Sequence, residues 1–454
     1  MFAGCVAAAV FAVYRQSPPL AYVAELVVLL GAISSVPEIK QACLTARWAG
    51  LGALLISAIL SRRIAILKSP GLVIPVFLGS LMAVSAWWSI DPRLTIERGG
   101  TVAVLFAVVS VDLAPRLMLP GPRRSFTHGV SAVVPLVVAA SLAYWIVDAA
   151  GARVSGELRG VLENANALGL ILALAYPFLI ARIAGERFEW VWLAVIAVGS
   201  ATVLALSSAR TGLVALLVAI AVLEIGRRRG RALVLQVTLV ILTFGLAALI
   251  AAWPSGAGEK VPSLTSTTTA TRVAPPPPPT KRATVIGTGR PPGQSLVGSL
   301  TGGRDESWAA AAKIVAKRPV LGFGFGVGDE LFARYPKIAR FTYFEGANPG
   351  SAYLTLAMEL GAVGAVLFLA PLIAAAILAI VALRRRPLTA EEAVFPAVLA
   401  AGLVAAVFET ILSSAGAPWS LLVWLAGVVV LLEARQRWLQ SHRLDEKAAR
   451  PVFE

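Results

Sequence analysis

The feature that most constrains this chain is a series of apolar runs, many near the length of a bilayer crossing, repeated from one end to the other. They fall near 1–14, 20–36, 49–60, 71–88, 100–114, 129–147, 166–184, 188–206, 211–225, 232–253, 352–382, 394–415 and 418–434. A hydrocarbon core is crossed by about 20 apolar residues in a helix. With 58% hydrophobic and 14% charged residues, the 454-residue chain reads as an integral membrane protein rather than two or three soluble domains. The expected fold class is all-α: a polytopic transmembrane helix bundle of about twelve or thirteen spans, with one large extracytoplasmic loop domain.

The formal charge of +15 would suggest a nucleic-acid partner in a soluble protein. Here most basic residues lie in short loops between apolar runs, as topology determinants do, so membrane lipids are the expected partners and nucleic acid is not. The positive-inside rule assigns Arg227 to Arg231 and Arg384 to Arg386 to the cytoplasm. The loop 254–351 then falls outside, together with 89–99, 148–165 and 207–210. Arg62, Arg63, Lys68, the stretch Arg116 to Arg124 and the C-terminal tail fall inside. The N-terminus is outside if three helices precede Arg62, and inside if two do. Met1 to Tyr14 shows no basic leader and no small-residue cleavage site, so no removable signal peptide is expected. Cys5 and Cys43 stand apart from each other and from any histidine, which leaves no disulfide framework and no zinc pattern.

These boundaries divide the chain into an N-terminal transmembrane bundle (1–253), a low-complexity Pro/Thr-rich extracytoplasmic linker (254–300), an extracytoplasmic loop domain (301–351), C-terminal transmembrane helices (352–434) and a cytoplasmic tail (435–454). Pro275 to Pro279 favour extended polyproline structure in the linker. From Arg304 the pattern turns helical, with Trp308, Ala311, Ala312 and Val315 at helical spacing, acidic residues first, Lys317 and Arg318 last, and Pro319 as a stop. It predicts an amphipathic helix lying on the outer membrane face. Gly322 to Gly328 lacks the spacing of a dinucleotide loop and is expected to be a flexible turn or lid hinge.

Arginines at helix ends on the outer side oppose the usual charge bias. Arg98, Arg159 and Arg210 are three such residues. A guanidinium fork binds phosphate oxygens in pairs, so several converging on one face could hold a lipid pyrophosphate. The plainer alternative is that they snorkel to head groups or pair with Asp91, Glu97, Glu157 and Glu163. Glu359, one turn inside a span, is expected to partner an arginine.

Five stretches carry a resemblance to the bacterial O-antigen ligase and O-antigen polymerase family. They are Trp88 to Arg98, Asn164 to Gly169, Ser208 to Gly212, Gly303 to Trp308 with Pro319 to Gly324, and Tyr353-Leu354 with Glu359 to Gly364. The resemblance implies transfer of a glycan from an undecaprenyl-diphosphate carrier to a glycan or lipid-linked acceptor, at the outer face of the bacterial plasma membrane. It implies Arg210 on the diphosphate, with Arg98 and Arg304 at positions where the family also keeps arginine, and polysaccharide assembly proteins as partners. Arg159, from its outer-side position, and Asn348 and Tyr353, from the turn before the next span, are further substrate-binding candidates, with an aromatic anchor at the membrane interface as the alternative for Tyr353. Neither a metal nor a cofactor is expected, since diphosphate is a good leaving group whose developing charge arginines can stabilise.

The sequence departs from the family at the turn that usually reads His-Asn-x-Tyr-Leu. Here it reads Ala347-Asn-Pro-Gly-Ser-Ala-Tyr353, and the chain's only histidines, His128 and His442, map to the cytoplasmic side. A carboxylate is then the candidate base, Glu345 first and Asp305 or Glu306 next. Departure of diphosphate alone, or an inactive relative acting in an assembly complex, stay open. So does a lipid-linked oligosaccharide flippase or transporter, although no internal repeat and no midspan charge points that way.

Overall fold

The computed structural model describes residues 2–62, 70–148, 151–154, 157–252, 304–335, 338, 349–414 and 416–448. The linker 254–300, Glu345 and Asn348 lie outside the described residues.

All thirteen apolar runs coincide with helices. These are α1 (Phe2–Gln16), α2 (Pro18–Ala32), α3 (Pro37–Arg62), α4 (Val73–Ser85), α5 (Pro92–Ala107), α6 (Ala114–Leu117), α7 (Pro120–Val147), α8 (Ala165–Ile183), α9 (Glu189–Leu206), α10 (Arg210–Gly226) and α11 (Gly230–Ala252). A π-turn, Val108–Leu113, joins α5 to α6. After the loop come α12 (Asp305–Val315), α13 (Gly328–Arg334), α14 (Ala352–Arg385), α15 (Ala390–Ala405) and α16 (Pro418–Ala448). Among the described residues seven helices are long and apolar enough to cross a membrane, which makes this a multi-pass membrane protein. One run overreaches: 394–415 is expected as a single span, but α15 ends at Ala405 and the described residues of the 406–417 segment, 406–414 and 416–417, form a loop.

Strand structure among the described residues amounts to a two-residue hairpin, β1 (Arg153–Val154) and β2 (Glu157–Leu158), with an isolated bridge from Ser34 to Leu162. That bridge ties the α2–α3 turn to the segment before α8.

The core forms where α8, buried on all sides, packs against α7, α10 and α15, while α16 lies against α14 and α15. Close approach needs small residues. A Cβ on Gly212 would sit 2.7 Å from the backbone of Gly169, so α8 and α10 touch main chain to main chain near their N-terminal ends. Phe106, Phe368 and Trp424 cluster with ring centroids 4.3 to 6.1 Å apart and lock α5, α14 and α16 together.

The charges inside the bundle correct the expectation that midspan charges are lacking. Glu25 is fully buried in the middle of α2, leaning over Gly50 of α3. Asp112 is also buried. It accepts hydrogen bonds from Tyr14 (2.8 Å) and Tyr22 (2.9 Å) and is paired with Arg116 at 2.9 Å, so its desolvation is offset locally.

The decisive feature is a break in α14. Gly361 has φ 66° and ψ −175°, a conformation open essentially to glycine alone. The glycine-rich turn after α12 inserts there. The amides of Phe323 and Gly324 donate to the Glu359 carbonyl at 3.0 and 2.8 Å, and the amide of Ala362 donates to the Pro319 carbonyl at 2.8 Å. Backbone groups freed by the break are thus satisfied by the intruding turn, as burial in a membrane protein demands. Trp88 Nε1 donates to the Leu321 carbonyl and the Ile90 amide to the Phe323 carbonyl, both within 3.0 Å. The turn is therefore a buried, hydrogen-bonded plug and not the flexible hinge its composition suggested. Likewise the apolar face of α12 is covered by protein: Ala310, Ala311 and Ile314 are buried against Phe323, Val327, Phe332 and Met358. Its period is that of an amphipathic helix, but the partner is the plug.

Candidate functional site at one end of the bundle

The N-terminal ends of α5, α8, α10 and α14 share one end of the bundle with the α12–α13 segment and the 406–417 loop. Each start is set locally. Asp91 accepts from the Leu94 amide, Asn164 from the Ala167 amide and Ser351 from the Leu354 amide, the standard means of satisfying first-turn N–H groups. Converging N-terminal ends carry partial positive charge, which favours an anion in front of them.

Arg210 opens α10. The preceding turn holds Ser208 at φ 50°, and the Arg210 amide donates to the Ser208 carbonyl at 2.9 Å. The side chain is exposed and makes no ion pair among the described residues. Nearby, burial pushes the Glu157 carboxyl above its usual range while the Arg210 guanidinium opposes the shift. Arg159 is in the same segment, and its Nε donates to the Gly151 carbonyl at 3.0 Å, so it closes the base of the hairpin and meets no carboxylate among the described residues.

Arg98 and Arg304 have partners. Arg98 holds both oxygens of Asp329 at 2.7 and 2.9 Å and donates to the Gly326 carbonyl. Burial alone would raise the Asp329 carboxyl; the Arg98 guanidinium more than reverses this and holds it below its usual range. Neither Asp91 nor Glu97 takes Arg98; Glu97 pairs with Arg93 at 2.8 Å, and Glu163 with Lys40 at 2.8 Å. Arg304 pairs with Glu409 at 2.7 Å. Burial pushes the Glu409 carboxyl up, against the pull of Arg304 and a hydrogen bond from the Asn166 amide. Thus Arg304 of the α12 cap, Glu409 of the α15–α16 loop and Asn166 of α8 meet at one point. Ser307 reinforces it by donating to the Pro349 carbonyl at 3.3 Å. Among these, Glu409 escaped the sequence reading because it sits in an apolar run. The polar turn that follows, Ser413-Ser-Ala-Gly-Ala-Pro418, is the signal that could have marked it.

Tyr353 is part-buried and donates to the Leu403 carbonyl at 2.7 Å, tying α14 to α15. Glu359 is buried and makes no direct ion pair with an arginine among the described residues, although the Arg98 guanidinium is near enough to act on its charge; its Oε1 accepts from the Gly328 amide at 3.0 Å. His128 lies near the start of α7, where Arg123 pairs with Glu433 at 2.7 Å, at the opposite end of the bundle from Arg210. Among the described residues no group of three or more His, Cys, Asp or Glu could hold a metal ion.

Residues 192–369 match a family model described as O-antigen ligase. The match spans α9 to the first half of α14, and so includes Arg210, Arg304, the plug and the break at Gly361. A search of curated proteins finds no match.

Proposed function

We propose, from the match of residues 192–369 to the O-antigen ligase family, that the chain moves a glycan from an undecaprenyl-diphosphate carrier to an acceptor sugar at the outer face of the plasma membrane. The observation that carries this reading is Arg210: an exposed guanidinium at a helix start, without an ion pair among the described residues, where α8 and α10 begin side by side. A diphosphate there meets a bidentate donor and the positive ends of helices, both of which stabilise charge developing on the leaving group. Arg98 and Arg304, engaged with Asp329 and Glu409, shape the site by holding the plug and the 406–417 loop. Arg159 holds the hairpin beside Arg210.

The acceptor hydroxyl loses a proton as it attacks the anomeric carbon, and a nearby carboxylate can take it. Two candidates stand: Glu345, chosen from the sequence beside Asn348 in the turn where relatives carry histidine, and Glu409, placed beside Arg304 and Asn166. Burial raises the Glu409 carboxyl above its usual range, the direction that strengthens a base.

The test is in vitro transfer by purified protein, with a lipid-diphosphate-linked oligosaccharide as donor and free or lipid-linked glycans as acceptors. Wild type should give a transferred or lengthened glycan. A loss of about 10²-fold or more in one of Glu345→Gln and Glu409→Gln identifies the base. Wild-type rates in both would leave diphosphate departure without a carboxylate base. No product from wild type with any donor would remove the transferase reading.

A further inference from the structure

We infer that the cavity beneath the glycine plug is a saccharide-binding pocket that seats a sugar ring of the acceptor; this deepens the transferase reading and rests on it for the word acceptor alone. The cavity has a volume of about 300 Å³ and lies between α3, α5, the plug, the first part of α14 and the 406–417 loop. That is room for one or two sugar rings. It is separate from the exposed face of Arg210 and adjoins the Arg304–Glu409 pair, since Thr410, Ser413 and Ser414 follow closely on Glu409.

The wall is rich in acceptors. Thr355 spends its hydroxyl proton on the Ser351 carbonyl, Ser414 on the Thr410 carbonyl and Thr101 on the Arg98 carbonyl, each at 2.8 Å. Each oxygen keeps lone pairs for a donor from the cavity. Glu359 adds a carboxylate that is 96% buried on a relative exposure of 4%; the plug's Gly328 amide fixes Oε1, while Oε2 has no hydrogen-bond partner among the described residues. A buried acceptor left open in this way is costly unless something donates to it. Trp48 supplies an aromatic surface, its ring fixed by the Arg47 guanidinium 4.7 Å from the centroid.

The charge balance selects the ligand class. Arg98 is the one cation among the lining residues, and Asp329 and the Gly326 carbonyl engage its terminal nitrogens; Arg47, outside the lining, lies against the Trp48 ring and donates to the Gly416 carbonyl at 3.4 Å, so a phosphate meets no uncommitted cation in the wall. Of the two carboxylates in the lining, Asp329 is held by Arg98 and Glu359 by the Gly328 amide, and no three-ligand cluster for a metal ion exists among the described residues. What remains is a neutral molecule that donates several hydrogen bonds and offers an apolar face to an indole: a pyranose.

The experiment is saturation-transfer NMR on the full chain in amine-oxide micelles, which carry no sugar of their own. The probes are methyl β-glucoside, methyl β-galactoside, the methyl glycoside of N-acetylglucosamine, and inorganic phosphate. Saturable binding of at least one glycoside is expected, weakened at least tenfold in Trp48→Ala and in Ser413→Ala, and unchanged in Arg210→Ala. Glu359→Gln should weaken it as well, but it touches the plug amides; the two rim variants, with melting temperatures near wild type, keep the test decisive if it misfolds. No saturable glycoside binding, binding indifferent to Trp48 and Ser413, or phosphate competing for the same place would each overturn the pocket. Glycoside binding without any glycan transfer would retain the pocket and sink the transferase reading. Transfer with an acceptor KM unmoved by the rim variants would do the reverse.

Discussion

Arg98 and Asp329, 231 residues apart in sequence, are joined by two parallel hydrogen bonds of 2.7 and 2.9 Å. That fork fastens α5 to the start of α13 and, through the Gly326 carbonyl, to the plug that fills the break in α14. An arginine that looks from its flanking sequence like a ligand-binding group is here the clasp of the fold's least regular part.

Removing the clasp should therefore affect stability before it affects binding. Arg98→Ala and Asp329→Ala are each expected to lower stability by about 1.5–3 kcal/mol, the range for charged hydrogen bonds. The double variant should cost clearly less than the sum, which a double-mutant cycle on thermal unfolding in detergent reads directly. Because the folded Asp329 carboxyl titrates below its ordinary value near 3.8, its contribution is full above that value and is lost as pH falls through the folded one. Asp329→Asn should flatten that acid limb.

Glycine substitutions should separate sharply by position. At Gly361 a Cβ would lie 2.3 Å from the backbone of Val320, with φ at 66°. Gly361→Ala is expected to cost more than about 4 kcal/mol and to abolish accumulation of folded protein. At Gly52, in the interior of α3, nothing lies within 4 Å of a Cβ. Gly52→Ala should be neutral or stabilising by up to about 1 kcal/mol, and a thermal-shift comparison checks both.

Glu409 should betray itself in the pH dependence. Burial raises its folded pKa above the usual carboxylate value, so if it takes the acceptor proton, activity should fall as pH drops through a value above that of an ordinary glutamate. Its effect on stability has the opposite sense: the contribution is present below the unfolded pKa and is lost as pH rises through the folded one. Glu409→Gln should remove the acid limb of the rate profile. A profile unchanged in that variant would assign the limb elsewhere, to Glu345 first.

Much of the helix bundle was legible because its signals are local. Apolar runs became helices, that at 394–415 in its first part only, and the acid-first, base-last pattern around Trp308 marked α12 correctly. What escaped depends on distant partners. Glu359-Leu-Gly-Ala-Val-Gly364 reads as unbroken span, and only the arrival of Gly322 to Gly328 makes Gly361 a break. Charge proximity in sequence suggested Asp91 or Glu97 for Arg98, whereas the acid that takes it comes from across the plug. Glu409 vanished into a run read as one span, because α15 is only 16 residues long and the polar turn beyond it was absorbed into the same window.

The central claim is that Arg210 holds the carrier diphosphate, and its most direct test is the transfer rate of Arg210→Ala measured beside its melting temperature. The side chain is exposed and makes no ion pair among the described residues, so folding should be untouched, within about 0.5 kcal/mol for a surface site. Transfer should fall by about 10²-fold or more, the scale for losing a group that stabilises charge in the transition state, with Arg210→Lys in between. A stably folded Arg210→Ala protein that transfers glycan at the wild-type rate would contradict the assignment.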